Sequence, residues 1–156
     1  LYTGDISGDD GIFEEALLKQ DIKDITVYKA AHHGSRTHNT NSERFLNYIN
    51  PDICLVSAAI VDPYNPHNPK NADVAQHPSY EFVATILNTP KIKQTKALYF
   101  NGTMGTIWVQ DDGQTTPTVS GFGAVRGYYD GNTKVQGEQN LKFIQTKFYQ
   151  GWVYSN

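Results

Sequence analysis

The chain has 156 residues, a formal net charge of −3, 38% hydrophobic and 19% charged residues. That length fits one domain able to bury a real core, and the balance excludes a disordered chain. The charge gives no global attraction for nucleic acid, and no run reaches the roughly 20 apolar residues of a membrane helix.

Leu1 to Asp5 reads as the end of a strand whose first residue is already mid-pattern. Ser7, Asp9 or Asp10 can cap a helix over Ile12 to Leu18, with Ile12, Ala16, Leu17 and Leu18 facing inward. Ile25 to Ala31 is the next strand, β-branched early and small near its end. A polar loop from His32 to Asn41 follows, then a helix from Glu43 to Ile49, capped by Ser42 and stopped by Asn50-Pro51. Ile53 to Ser57 is a short apolar strand that holds Cys54, the single cysteine, which reads as a buried structural thiol. After a long loop with Pro63, Pro66, His67 and Pro69, Pro78 suits the first turn of a helix running to about Leu87. Ala97 to Phe100 and Thr106 to Val109 read as strands, closed by the turn Asp111-Asp112-Gly113. The order strand, helix, strand, helix, strand, helix, strand, strand argues for a layered α/β domain over 1–113. Residues 114–156 are rich in Gly, Thr, Tyr and Gln and read as a β-rich or irregular extension. Its aromatic pairs, Tyr128-Tyr129 and Phe148-Tyr149, read as packing residues.

The chemistry collects where hydrophobic runs end. Leu1–Gly4 stops at Asp5, and Ile25–Ala31 stops at His32 and His33. In α/β proteins the carboxyl ends of strands are where ligands gather, and an Asp and a His delivered there suit zinc or manganese. Gly34 permits a tight turn away from the strand, while Ser35 and Arg36 offer a hydroxyl and a cation beside a bound anion, as substrate contacts. All five histidines lie between His32 and His77. His38 and His67 read as solvated loop residues, and Asp5 taken alone would read as a turn or cap residue.

The strings Thr3-Gly4-Asp5-Ile6-Ser7, Lys29-Ala30-Ala31-His32-His33-Gly34-Ser35 and His77-Pro78, with Thr103-Met104-Gly105-Thr106-Ile107 before Asp111-Asp112-Gly113, come in an order that resembles the metallo-β-lactamase fold. Within it the chain most resembles the hydrolase domain of bacterial DNA-uptake proteins of the competence ComEC type, and more distantly the phosphorylcholine esterases. The resemblance covers positions 1 to about 113. It implies the C-terminal half of a four-layer αββα fold with two divalent metal ions, zinc or manganese. By the same resemblance Asp5 bridges the ions and one of the pair His32-His33 ligates the second, His33 being favoured. His77 would stand at the mouth as a catalytic substrate contact or proton donor. The implied reaction is hydrolysis of a phosphodiester, in DNA or a phosphorylated polymer, by a metal-activated water. An extracellular or cell-envelope location is also implied.

The family's histidine-x-histidine-x-aspartate-histidine motif has no counterpart here. It belongs to the half of the fold that precedes the Gly-Asp strand, so that N-terminal half is the expected partner. The alternative is a non-catalytic binding module with an incomplete site. The two readings part on whether a chelator abolishes, and zinc or manganese restores, cleavage of a phosphodiester.

Overall fold

The structure is a computed structural model that describes residues 1–6, 12–58, 77–95, 97–101, 106–122, 140–145 and 150–155. The expectations placed on Ser7, Asp9, Asp10, His67, Thr103 to Gly105 and the two aromatic pairs lie outside those residues.

Helix α1 spans Ile12–Leu18, strand β1 Val27–Lys29, helix α2 Glu43–Ile49 and strand β2 Ile53–Val56. They are followed by α3 (Tyr80–Ile86), α4 (Pro90–Thr95) and β3 (Leu98–Phe100). Strands β1, β2 and β3 lie side by side, all parallel, with Tyr28 opposite Cys54 and Cys54 opposite Leu98. Parallel neighbours need crossover connections, and here helices occupy them. The expected strand at the start of the chain contributes a single parallel bridge, Tyr2 to Lys29, at the free edge of β1. It is held by the Lys29 N–H donating to Leu1 O at 3.1 Å and the His32 N–H donating to Gly4 O at 3.0 Å.

The sheet has two unequal faces. Tyr28, Ala30, Cys54, Val56, Leu98 and Phe100 point to one side and are wholly buried. They meet Phe45, Leu46 and Ile49 of α2 and Phe82, Val83 and Ile86 of α3. Each fully buried side chain of this size is worth about 1.5–3 kcal/mol, so this layer dominates the stability of the α/β part. The opposite face carries Val27, Lys29, Leu55 and Tyr99, all only half-buried.

Beyond β3 the architecture turns antiparallel. Strands β4 (Thr106–Gln110) and β5 (Thr118–Phe122) pair from Thr106 opposite Phe122 to Gln110 opposite Thr118. The Asp111–Gly113 turn therefore lies inside a hairpin. Gly113 takes φ +71°, and the Asp112 carboxylate receives the Gln114 and Thr115 N–H groups at 2.9 and 2.8 Å. Strands β6 (Asn140–Gln145) and β7 (Gln150–Ser155) form a second hairpin. The molecule is thus mixed α/β, with a small parallel sheet and antiparallel β structure behind it.

Three local expectations are corrected. Pro78 is not in the first turn of α3: Ser79 caps that helix by accepting the Phe82 N–H at 3.2 Å, which places Pro78 before the cap. A hydroxyl cap satisfies a free N–H, whereas proline merely lacks one. Ala16 lies exposed on α1, and Glu14 is turned inward to accept the Ser42 N–H at 3.2 Å. The polar loop His32 to Asn41 exposes Thr37, His38 and Asn39 but buries Ser35, Thr40 and Asn41 fully, which sequence did not indicate.

Candidate metal centre at the carboxyl edge of the sheet

Strand β1 ends one residue before Ala30, and the chain then makes a tight reversal through His32, His33 and Gly34. All three are left-handed, at φ +44°, +56° and +80°. For residues other than glycine this conformation costs about 1–2 kcal/mol each, so something must impose it on the two histidines.

Asn41 imposes it. Its Nδ2 donates to Ala31 O at 3.0 Å and to Ser35 O at 2.7 Å, the two carbonyls that bracket the reversal. Its Oδ1 accepts from the Tyr28 hydroxyl at 2.5 Å, and that hydroxyl accepts the Ala31 N–H at 3.1 Å. Burial pushes the Tyr28 hydroxyl far above its ordinary value, so it remains a neutral donor. Gly34 closes the clamp from the other side: its carbonyl accepts the Ser79 N–H at 3.0 Å. A Cβ at Gly34 would stand 2.6 Å from Pro78 Cβ, so only glycine fits both the backbone angle and the approach of α3.

This reversal brings together four of the expected residues, Asp5, His33, His77 and His32. His33 Nε2 lies 3.8 Å from Asp5 Oδ1. The other ring nitrogen, Nδ1, meets the backbone carbonyl of Ser57 at the end of β2. A carbonyl can only accept, so Nδ1 carries a proton, and Nε2 faces the Asp5 carboxylate within ion-pair distance. An N–H···O=C contact of this kind is how ligating histidines are oriented. Two ligands of one tetrahedral zinc, each about 2.1 Å from it, stand about 3.4 Å apart. The Asp5–His33 separation of 3.8 Å is longer than that and too long for a hydrogen bond; it is the distance of an ion pair that a small side-chain movement would turn into a shared-metal spacing.

His77 is the third. Its ring centroid is 5.3 Å from that of His32 and 6.3 Å from that of His33. Its Nδ1 is buried and has no hydrogen-bond partner among the described residues. Burial first, then the neighbouring His32 and His33, hold its pKa below the ordinary value, while Asp5 pulls the other way. His77 is therefore a neutral imidazole near pH 7, better suited to contacting substrate than to donating a proton. His32 lies half-buried beside both, 6.3 Å from His33 between ring centroids.

Ser35 and Arg36 fall elsewhere. Ser35 is fully buried, with its hydroxyl 2.6 Å from Thr37 Oγ1 and accepting the Thr37 N–H at 3.0 Å. The Arg36 guanidinium donates to the Asn41 carbonyl and so ties the loop to itself. Both side chains face the interior of the reversal. Asn41 and Tyr28 are the positioning residues that sequence reasoning missed. The accumulation of Asn and Thr from Thr37 to Ser42 was the only signal of a side-chain-bonded loop there.

Beside this cluster, at the same edge of the sheet, lies an open cleft of about 490 Å³, lined by Lys29, Leu55, Val56, Ser57, Asn101, Thr106 and Ile107. Ser57 is common to the cleft and to the His33 contact. Among the described residues no group of three or more His, Cys, Asp or Glu side chains converges on one point at metal-ligand spacing.

No family model, no curated protein and no solved structure matches this chain.

Proposed function

We propose that the chain contributes ligands to the metal centre of a hydrolase of the metallo-β-lactamase type that cleaves phosphodiesters. The observation that carries this reading is the Asp5–His33 pair: a carboxylate oxygen and an imidazole nitrogen 3.8 Å apart, with the ring's other nitrogen held by the Ser57 carbonyl. The strained backbone at His32 and His33 supports it, because such strain is concentrated where geometry serves function. The Nδ1 of His77, buried with no hydrogen-bond partner among the described residues, supports it too.

In this reading Asp5 and His33 hold divalent ions, with His32 held in reserve as a further imidazole. A tetrahedral zinc takes four ligands, so others complete the centre, and the resemblance assigns them to an N-terminal half of the domain. Bound zinc or manganese supplies Lewis acidity, which activates water and stabilises charge developing on oxygen. The chain's own residues do the rest. The Ser57 carbonyl keeps the proton on His33 Nδ1, and the Tyr28–Asn41 clamp keeps both histidine backbones in place. His77 contacts the substrate at the mouth.

The test is hydrolysis of a chromogenic phosphodiester by the protein from its source, before and after chelation. Chelator should abolish turnover and zinc or manganese restore it, and Asp5→Asn should abolish turnover and lower metal occupancy. Full activity in Asp5→Asn would overturn the assignment. Metal-independent inactivity of the complete protein would favour a binding module.

A further inference from the structure

The cleft beside the histidine cluster has a one-sided chemistry. Lys29 is the last residue of β1, Val56 is the last of β2 with Ser57 next, and Asn101 follows β3, so the cleft runs from the carboxyl ends of the three parallel strands onto the half-buried face that carries Lys29 and Leu55. Those carboxyl ends are where open α/β sheets take their ligands. Among the described residues its polar lining consists of an ammonium group, two hydroxyls and a carboxamide, with no carboxylate. The carboxamide of Asn101 uses its oxygen to accept the Ala58 N–H at 2.9 Å, which leaves its NH2 as a donor. Among the described residues no carboxylate lies within ion-pair distance of Lys29, whereas Lys23 has one and Lys91 has two. The remaining lining, Leu55, Val56 and Ile107, is apolar.

A half-buried lysine with no counter-ion among the described residues, set among donors in a concave site, is matched to an anion. Apolar walls next to it suit the ring or carbon skeleton attached to that anion. Because Ser57 both lines the cleft and holds His33, an occupant would lie next to the Asp5–His33 pair. We propose that this cleft is an anchoring subsite in which Lys29 binds a phosphate group of the substrate adjacent to the one that is cleaved. Asn101, Ser57 and Thr106 donate to the same phosphate, and Leu55 and Ile107 pack against the sugar or alkyl part. The subsite rests on the proposed phosphodiester chemistry for its ligand class, but anion binding here needs no metal and no turnover.

The experiment is calorimetric titration of the chelator-treated full chain with thymidine 5′-monophosphate, and with thymidine as the uncharged control. Hydrogen bonds to charged groups are worth about 1.5–3 kcal/mol, so Lys29→Gln should weaken monophosphate binding by about tenfold or more. Lys93→Gln, on the exposed side of α4, should leave it unchanged. Thymidine should bind weakly and equally to both proteins. Thr106→Glu places a carboxylate in the cleft from an exposed hairpin position and should abolish binding without changing the unfolding midpoint. Equal binding by the wild type and Lys29→Gln, or no binding by the wild type, overturns the subsite. A Lys29 effect found alongside full turnover in Asp5→Asn upholds the subsite and rejects the hydrolase reading.

Discussion

Asn41 decides the geometry of the site although it touches no substrate. A buried carboxamide with three hydrogen bonds to groups on either side of His32–Gly34 leaves those groups unsatisfied when it is removed. At about 1 kcal/mol per bond, Asn41→Ala should cost roughly 3 kcal/mol of stability, read as a lower urea midpoint. Tyr28→Phe should cost about 1–3 kcal/mol, since the Ala31 N–H loses its acceptor. Because both belong to one network, the double mutant should lose less than the sum by at least about 0.5 kcal/mol. Strict additivity would show that the clamp is not one unit. At this scale the sequence pointed to Asp5 and the histidine pair through their places at the ends of hydrophobic runs. It could not point to Asn41, because in a one-dimensional reading a run such as Thr37-His38-Asn39-Thr40-Asn41 is simply polar. Its burial follows from α2 and β1 packing around it, a tertiary fact.

The elements were legible in proportion to their capping. Helix α2 runs from Glu43 to Ile49 as expected, since Ser42 accepts the Phe45 N–H at 3.1 Å and Asn50 ends it in the left-handed conformation at φ +38°. Helix α1 has its expected bounds as well. Helix α4, six residues long with one buried apolar side chain, Ile92, carries too little amphipathic pattern to stand out, although Pro90 at its first position was a usable signal. Strand β1 is three residues long rather than seven because its neighbours pair with it only over Val27–Lys29. Helix α3 links this scale to the site. Ser79 caps it through the side chain, and its own N–H binds the Gly34 carbonyl. Ser79→Ala should therefore cost about 1 kcal/mol through the lost cap while the backbone tie to Gly34 persists. The histidine NMR resonances should accordingly stay near their wild-type positions. Large shifts of His32 and His33 in that variant would mean that the cap itself holds the reversal.

The α/β part of the molecule is a parallel β-sheet buried on one face by α2 and α3; on the other, Val27, Lys29, Leu55 and Tyr99 lie half-buried beside the buried Ile53. The layered α/β class and the change to β-rich structure toward the C-terminus were readable from the order of patterns. The hairpin partner of Thr106–Gln110 was not, because Thr118–Phe122 holds a Gly and two hydroxyl residues and lacks the clean alternation that marks a half-buried strand. The central claim at this scale is that Asp5 and His33 are ligands of a metal centre, and metal content per chain tests it most directly. Elemental analysis of the protein as isolated from its source should find about two transition-metal ions per chain, as in two-metal hydrolytic sites. In His33→Gln that content should fall by about half or more. No metal in the wild type, or the same content in the variant, would contradict the account.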